Sequence, residues 1–278
     1  MKKSFANLNA PVLAGVIRER TPKKAIAAIR NAEMHGATAI DLHLSCLDDQ
    51  YKNVRSISEI VATTNKPILA LNYNQRYDGS LYNATEQERI DLLMMAAEAG
   101  VSAIDLQGYT LDLPSKHAYT GNADYSFTKG NPKEIVTDEG IIQQQMELID
   151  RIHAMGIEVL LSTHTSIPMN CEQMVDLAKY LEKRNPDILK FVTICNTEEE
   201  MLEAFKTMLV LKKEIKNAKV HFHCGGEFGK WTRLINPLLG SYLIFCVDQY
   251  CEGSTMGQLH LQTTSNVIEG IKRLMQED

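Results

Sequence analysis

The sequence predicts an α/β protein folded as a closed (β/α)8 TIM barrel, a single domain over residues 1–278. Three observations carry this. Short apolar runs bounded by loop residues alternate with helical patterns eight times, as expected of a parallel sheet wrapped in helices. Two stretches, "HGATAIDLHL" and "AGVSAIDLQG", repeat one design of helix end, glycine and strand, and share Ala-Ile-Asp-Leu. The first strand–helix turn lacks the Gly-x-Gly-x-x-Gly fingerprint of a doubly wound dinucleotide-binding sheet, which is the alternative fold. The length, 278 residues, also suits a barrel, which typically needs about 250.

The first strand is Pro11 to Ile17, followed by a helix that Thr21 caps and Pro22 opens. Gly36 stops that helix, and the second strand runs from Ala39 to Leu44, with Asp41 and His43 on one face. A helix over Ile57 to Thr63 leads to the third strand, Ile68 to Asn72, and then to a polar, tyrosine-rich loop from Tyr73 to Asn83. Thr85 and Glu88 form a capping box for the next helix, which ends at Gly100, and the fourth strand is Ala103 to Gln107. Gly108 to Asp138 then breaks the rhythm as a long polar segment, read as an insertion at the catalytic end of the barrel.

The alternation resumes with a helix from Glu139 to Met155 and a fifth strand, Ile157 to His164. A helix over Cys171 to Lys183 precedes the sixth strand, Ile188 to Ile194, and a further helix covers Thr197 to Ile215. The seventh strand is Lys219 to His223, with a glycine-rich turn after it that lets backbone approach a ligand. The eighth is Tyr242 to Val247, and a loop from Asp248 to Gly257 leads to the final helix, Leu261 to Met275.

Composition excludes several classes of function. A net charge of −6 with no basic cluster argues against nucleic acid as a partner. No run reaches the roughly 20 apolar residues of a membrane span, and the first ten residues hold no signal-peptide core. The six cysteines form no CxxC pair and read as reduced thiols of a cytoplasmic protein.

In such a barrel the site is built at the C-terminal ends of the strands. Residues near those ends are Asp41, His43, Asn72, Tyr73, Gln107, His164, Lys190 and His223, with Arg233, Ser254 and Gln258 in the turns that follow. His164 and Lys190 lie on successive apolar strands joined by one helix, so the two side chains are expected to face one space. Burial lowers the pKa of a lysine and favours the free amine, which attacks carbonyls; a histidine beside it moves protons near neutral pH. Arg233 is suited to clamp a carboxylate, with Ser254 and Gln258 adding neutral hydrogen bonds. A second reading takes Asp41, His43, His164 and His223 as ligands of a catalytic metal in a sugar or sugar-acid isomerase or lyase. A third is a ligand-binding barrel without turnover. Of His221 and His223, only one is expected to face inward.

The stretches "EVLLSTHTSIP", "PDILKFVTICNTEEEMLEAF", "RLINPLLGSYLIFCV" and "GSTMGQLHL" resemble the type I 3-dehydroquinate dehydratase family. The resemblance implies a cofactor-free lyase that holds its ketone substrate as a lysine imine, works on the shikimate route and forms a homodimer. It makes Lys190 the imine lysine, His164 the catalytic histidine, and Arg233, Ser254 and Gln258 the carboxylate-binding residues. The N-terminal half departs from the family pattern. Asp41-x-His43 stands where the family has Glu-x-Arg, Tyr73 where it has Arg, and Gln107 where it has Glu. The acidic partner of the catalytic histidine has only a shifted candidate, Asp78. These departing positions contact ring hydroxyls in the family, so the implied substrate is a carboxylated cyclic or polyhydroxy ketone rather than necessarily 3-dehydroquinate. Lys116, His117 and Lys129 of the long segment are candidate replacement donors.

Overall fold

The structure, a computed structural model, describes residues 4–73, 84–112, 136–165, 167–250 and 257–276. Asp78, Lys116, His117, Lys129 and Ser254 therefore lie outside the described residues, as does most of the Gly108 to Asp138 segment.

Eight strands alternate with eight helices: β1 (Val12–Ile17), α1 (Pro22–Met34), β2 (Ala39–His43), α2 (Val54–Val61), β3 (Ile68–Leu71), α3 (Glu86–Ala99), β4 (Ala103–Gln107), α4 (Glu139–Ala154), β5 (Glu158–His164), α5 (Cys171–Glu182), β6 (Ile188–Ile194), α6 (Glu198–Glu214), β7 (Lys219–Gly225), α7 (Gly229–Leu239), β8 (Leu243–Val247) and α8 (Leu261–Leu274). A two-residue strand that the sequence does not suggest, β9 (Leu259–His260), pairs with the end of β8. Every pairing is parallel, in the order β7-β6-β5-β4-β3-β2-β1-β8-β9. The sheet curls so that β7 and β8 meet: Tyr242 N–H donates to Val220 O at 2.8 Å, and Phe222 N–H to Ser241 Oγ at 3.0 Å. The result is a (β/α)8 barrel. No helix among the described residues is long and apolar enough to cross a membrane.

The expected caps form. Thr21 accepts from Lys24 N–H, Pro22 occupies the first turn of α1, and Thr85 and Glu88 close a capping box on α3. α2 begins at Val54, a little before the helix expected from Ile57, because Asn53 caps it through Ser56 N–H. The turn between β7 and α7 needs its glycines. Gly226 has φ +82°, and a Cβ there would lie 2.5 Å from Cys195 O; one at Gly229 would lie 2.4 Å from Cys224 O.

Strand periodicity divides the side chains between two sides. Ile40, Ile104, Val159, Leu161, Leu189 and Ile244 pack outward against the helices. Their neighbours Ala39, Ala103, Leu160, Ile188 and Leu243 point inward and, with Val12, Leu69, Phe5 and Tyr242, form an apolar floor. The N-terminal segment seals this floor: Phe5 is fully buried, Ala6 N–H donates to Glu158 at 2.8 Å, and Tyr242 OH donates to Phe5 O at 2.7 Å. Two residues further along β2, β4, β5 and β6, the inward side chains become Asp41, Asp105, Ser162 and Lys190, level with His221 of β7, all buried, while Ala14 of β1 and Phe245 of β8 stay apolar. Two further still are His43, Tyr73, Gln107, His164 and His223. The barrel thus carries polar side chains above a dry floor, toward the strand ends.

The expectation that only one of His221 and His223 faces inward is wrong. Both do, their rings joined by a 2.8 Å contact from Nε2 of His221 to Nδ1 of His223. Residues two apart on a strand share a face, so the spacing itself required both to point the same way. Among the described residues, Cys46, Cys171, Cys195, Cys224 and Cys246 form no disulfide with one another.

Candidate active site

Lys190 lies mid-strand on β6, directly above the floor residue Ile188. Only 5% of it is exposed, and its Nζ sits 4.8 Å from the centroid of the Phe245 ring. An ammonium cannot be held there without a partner, and the structure supplies one. Lys190 Nζ lies 3.1 Å from Asp105 Oδ2 on β4 and donates to Tyr73 OH at 2.8 Å. Tyr73, two residues past the end of β3, has its hydroxyl 3.4 Å from Nε2 of His164 at the end of β5. The Tyr73 and His164 rings meet edge to face, with centroids 5.5 Å apart. β5 and β6 are registered with Ser162 opposite Lys190, so His164 stands one inward level above the lysine. The expectation that His164 and Lys190 face one space holds, with the Tyr73 hydroxyl between them.

Asp105 is fully buried, and both of its oxygens are engaged. Oδ1 accepts from Ser162 Oγ at 2.6 Å and from Gln107 Nε2 at 3.3 Å. Oδ2 takes Lys190 and, at 3.4 Å, Tyr73 OH. The orientation of Gln107 follows from Arg89 on α3. Arg89 is fully buried and spends all five N–H donors: on both oxygens of Glu86, on Asn72 O, on Thr110 Oγ1 and on Gln107 Oε1. Burial would lower its pKa, but the Glu86 carboxylate outweighs that and holds it above the ordinary range. With Oε1 turned to the guanidinium, the Gln107 amide can only present Nε2 to Asp105. Gln107 is thereby tied to the wall of the site.

Asp41 and His43 occupy β2 and pair with each other, Oδ2 to Nε2 at 3.1 Å, with almost no exposure. Burial lowers the His43 pKa, and the Arg18 charge adds to this, against the opposing pull of Asp41. On β7, His221 lies opposite Lys190 and contacts Ser241 Oγ at 3.1 Å and the Phe245 ring. Desolvation, with the charges of Lys190 and Arg233, pushes the pKa of His221 well below the usual histidine value; desolvation and Arg233 do the same to His223.

Arg233, half-buried on α7, stands beside this pair, and a Cβ at Gly257 would lie 3.3 Å from its Nε. The side chain of Gln258 is buried, with its Oε1 unpaired among the described residues. Arg233, Gln258 and the turn at Gly257 thus converge on the β7–β8 side of the opening. The four ligands of the metal reading do not converge: Asp41 holds His43, His164 meets Tyr73, and His223 meets His221. Among the described residues no three His, Cys, Asp or Glu side chains are placed to share one ion.

Asp105, Ser162 and Arg89 are site residues that sequence reasoning missed. The one available signal was the repeated Ala-Ile-Asp-Leu, which puts Asp105 at the position of Asp41.

Comparison with known proteins identifies the family and the fold. The sequence profile of the family described as Type I 3-dehydroquinase matches residues 14–274. The 3-dehydroquinate dehydratase of Desulfotalea psychrophila is 24% identical over 224 residues, which cover 81% of this chain and 83% of the relative. That of Coxiella burnetii is 35% identical over 97 residues, 34% of this chain and 40% of the relative. Among solved structures, the 3-dehydroquinate dehydratase from Geobacillus kaustophilus superposes with a TM-score of 0.76 at 14% identity, covering 98% of this chain and 97% of that one. The type I enzyme from Clostridium difficile gives 0.74 at 14% identity, covering 98% and 99%. At that identity the structures speak for the fold, and the profile match speaks for descent: the chain belongs to the type I 3-dehydroquinase family, a family of carbon–oxygen lyases.

Proposed function

We propose that this protein is a Schiff-base dehydratase acting on a carboxylated ketone, with Lys190 as the imine-forming residue. The observation that carries the proposal is a buried lysine amine within hydrogen-bond reach of both a carboxylate and a phenol that touches the His164 imidazole. Imine formation needs the free amine, which adds to the ketone carbon and expels water from the carbinolamine. The protonated imine then acts as an electron sink. His164 removes the proton from the neighbouring carbon, the enamine expels the hydroxyl one carbon further on, and His164 returns its proton to that leaving oxygen. Hydrolysis frees Lys190 and the unsaturated ketone. Arg233 and Gln258, with Ser254, hold the substrate carboxylate and so fix which carbon faces His164.

Asp41, His43, Tyr73 and Gln107 replace the residues that read ring hydroxyls elsewhere in the family. Gln107 is already satisfied by Arg89 and Asp105, whereas Asp41 spends only Oδ2 on His43 and keeps a buried Oδ1 unpaired among the described residues. This favours a substrate whose hydroxyls are placed differently from those of 3-dehydroquinate, since the paired Gln107 gains little from a further hydroxyl while the Asp41 oxygen can still accept one. The same reading takes the chain as one barrel domain, cytoplasmic and homodimeric, with a small molecule as its partner and the segment 108–138 at the mouth of the site.

Borohydride trapping tests the chemistry. The protein, incubated with a panel of carboxylated ketones that includes 3-dehydroquinate, should gain a stable mass on the peptide that holds Lys190. Lys190→Ala should lose both adduct and turnover. His164→Ala should lower turnover by about 10²-fold or more while adduct still accumulates. Trapping at another lysine, with Lys190→Ala still active, would overturn the assignment. A side-by-side assay tests the substrate: 3-dehydroquinate should be turned over poorly against an analogue with altered hydroxyls. A kcat/KM above about 10⁴ M⁻¹s⁻¹ on 3-dehydroquinate would return it to the position of true substrate.

A further inference from the structure

Tyr73 stands where the family pattern that the sequence resembles has an arginine, and its surroundings suit it to a different task from binding a hydroxyl. Its side chain is buried, 1% exposed. Its oxygen accepts from Lys190 Nζ at 2.8 Å. Among the described residues its single proton has two possible acceptors, Asp105 Oδ2 and His164 Nε2, both at 3.4 Å. Asp105 Oδ2 already receives the lysine, at 3.1 Å. A short rotation of the phenol O–H therefore switches it from the carboxylate to the imidazole, completing a line from Lys190 through Tyr73 to His164. The edge-to-face packing of the two rings keeps the hydroxyl at the Nε2 edge of His164.

We propose that Tyr73 is a catalytic residue whose phenol carries the proton between the Lys190 amine and the His164 imidazole. The inference rests on the imine reading given above. The step balances. An N–H bond of the Lys190 ammonium breaks, and its proton joins the phenol oxygen as the phenol's own proton passes to His164 Nε2. The products are a free amine, an unchanged phenol and an imidazolium. The amine adds to the substrate ketone. The imidazolium donates its proton to the carbinolamine oxygen, which leaves as water, and His164 emerges neutral and ready to take the substrate's α proton. A phenol suits the first transfer because its ordinary pKa of about 10 lies close to the roughly 10.4 of an alkylammonium. An arginine, permanently charged and without a transferable proton, could not do this. The arginine-to-tyrosine change therefore exchanges a binding group for a proton carrier.

Tyr73→Phe tests the proposal, because it keeps the ring and its packing and removes only the hydroxyl. The rate of borohydride-trapped adduct formation on Lys190 is measured from pH 5.5 to 9 with whichever carboxylated ketone of the panel above traps fastest on the wild type, and binding of the same compound by calorimetry. Trapping in Tyr73→Phe is expected to slow by about 10²-fold with binding unchanged. Its residual rate should climb with pH, because solvent must now remove the lysine proton. A Tyr73→Phe protein that traps at the wild-type rate with the wild-type pH profile overturns the proposal and leaves the imine reading standing. Slower trapping matched by equally weaker binding also overturns it, since that is the signature of a group that only binds or packs. A wild-type protein that traps no ketone of the panel at Lys190 removes the imine reading, and this proposal with it.

Discussion

At the scale of single residues, the organising fact is that the buried Lys190 is paired with the buried Asp105. Asp105 holds Lys190 at 3.1 Å, and Ser162 and Gln107 hold Asp105 in turn. A carboxylate that close favours the ammonium form of the lysine, while the chemistry needs the amine. Asp105→Asn removes the charge with little change of shape. The acid limb of the pH profile for adduct formation should then move to lower pH, because the lysine gives up its proton more readily without the anion. The check is borohydride trapping across pH on the variant beside the wild type. An unmoved or alkaline-shifted limb would show that Asp105 does not set the protonation of Lys190.

At the scale of elements, α3 and the N-terminal segment each hold the barrel through one buried side chain. Arg89 ties α3 to the ends of β3 and β4 through Asn72, Gln107 and Thr110. Arg89→Met strands a largely buried Glu86 and leaves the Gln107 amide free to turn away from Asp105. Removing one partner of a buried pair costs about 3–5 kcal/mol, which urea unfolding would read directly. Arg89→Met with Glu86→Gln should recover part of the loss, because the stranded charge goes too. A loss under about 0.5 kcal/mol, the ordinary surface value, would show that the guanidinium carries no structural load. Phe5 plays the matching part at the opposite end. It fills the floor under Leu160, Ile188 and Leu243. Phe5→Ala should cost about 3–5 kcal/mol in a thermal or urea melt. Specific activity of the folded fraction should hold, since the floor lies below the polar side chains. An equal loss of activity in fully folded protein would mean the floor positions Lys190 more tightly than packing alone suggests.

For the whole molecule, stacking polar side chains inside a barrel makes stability depend on pH. His43, His221 and His223 are buried and held neutral, each with a folded pKa below the usual 6.5. A depressed folded pKa means that the unfolded chain binds the proton first. The stability tied to these groups is therefore complete above about pH 6.5 and is lost as pH falls from there toward the depressed folded values. Each group contributes a slope of up to about 1.4 kcal/mol per pH unit within that window. Urea unfolding at pH 7.5, 6.5 and 5.5 should show stability level at the top and falling below 6.5. The double variant His221→Gln, His223→Gln should flatten the fall. A wild-type curve without slope between 6.5 and 5.5 would contradict the assignment of neutral buried imidazoles.

What could be read from the sequence and what could not divides along the same scales. Periodicity and capping alone determined the order of strands and helices, because both are local: a strand declares itself by apolar run and length, a helix by its cap. Thr21, Thr85 and Glu88 do in the structure what their spacing implies. The facing of Lys190 and His164 was also legible, since two parallel strands joined by one helix leave few other arrangements. The inward pairing of His221 and His223 was in principle just as legible, and the misreading came from miscounting the strand period. Asp105, Ser162 and Arg89 were a different matter. Asp105 meets Lys190 across 85 residues of chain and Ser162 across 57, and no local spacing records such a meeting. Their partnership depends on how far the sheet curls and on the register of each strand against the next. Those are properties of the curled sheet as a whole, set by side-chain packing on both of its sides at once. The sequence determined which residues could do chemistry; only the curled sheet decided which of them touch.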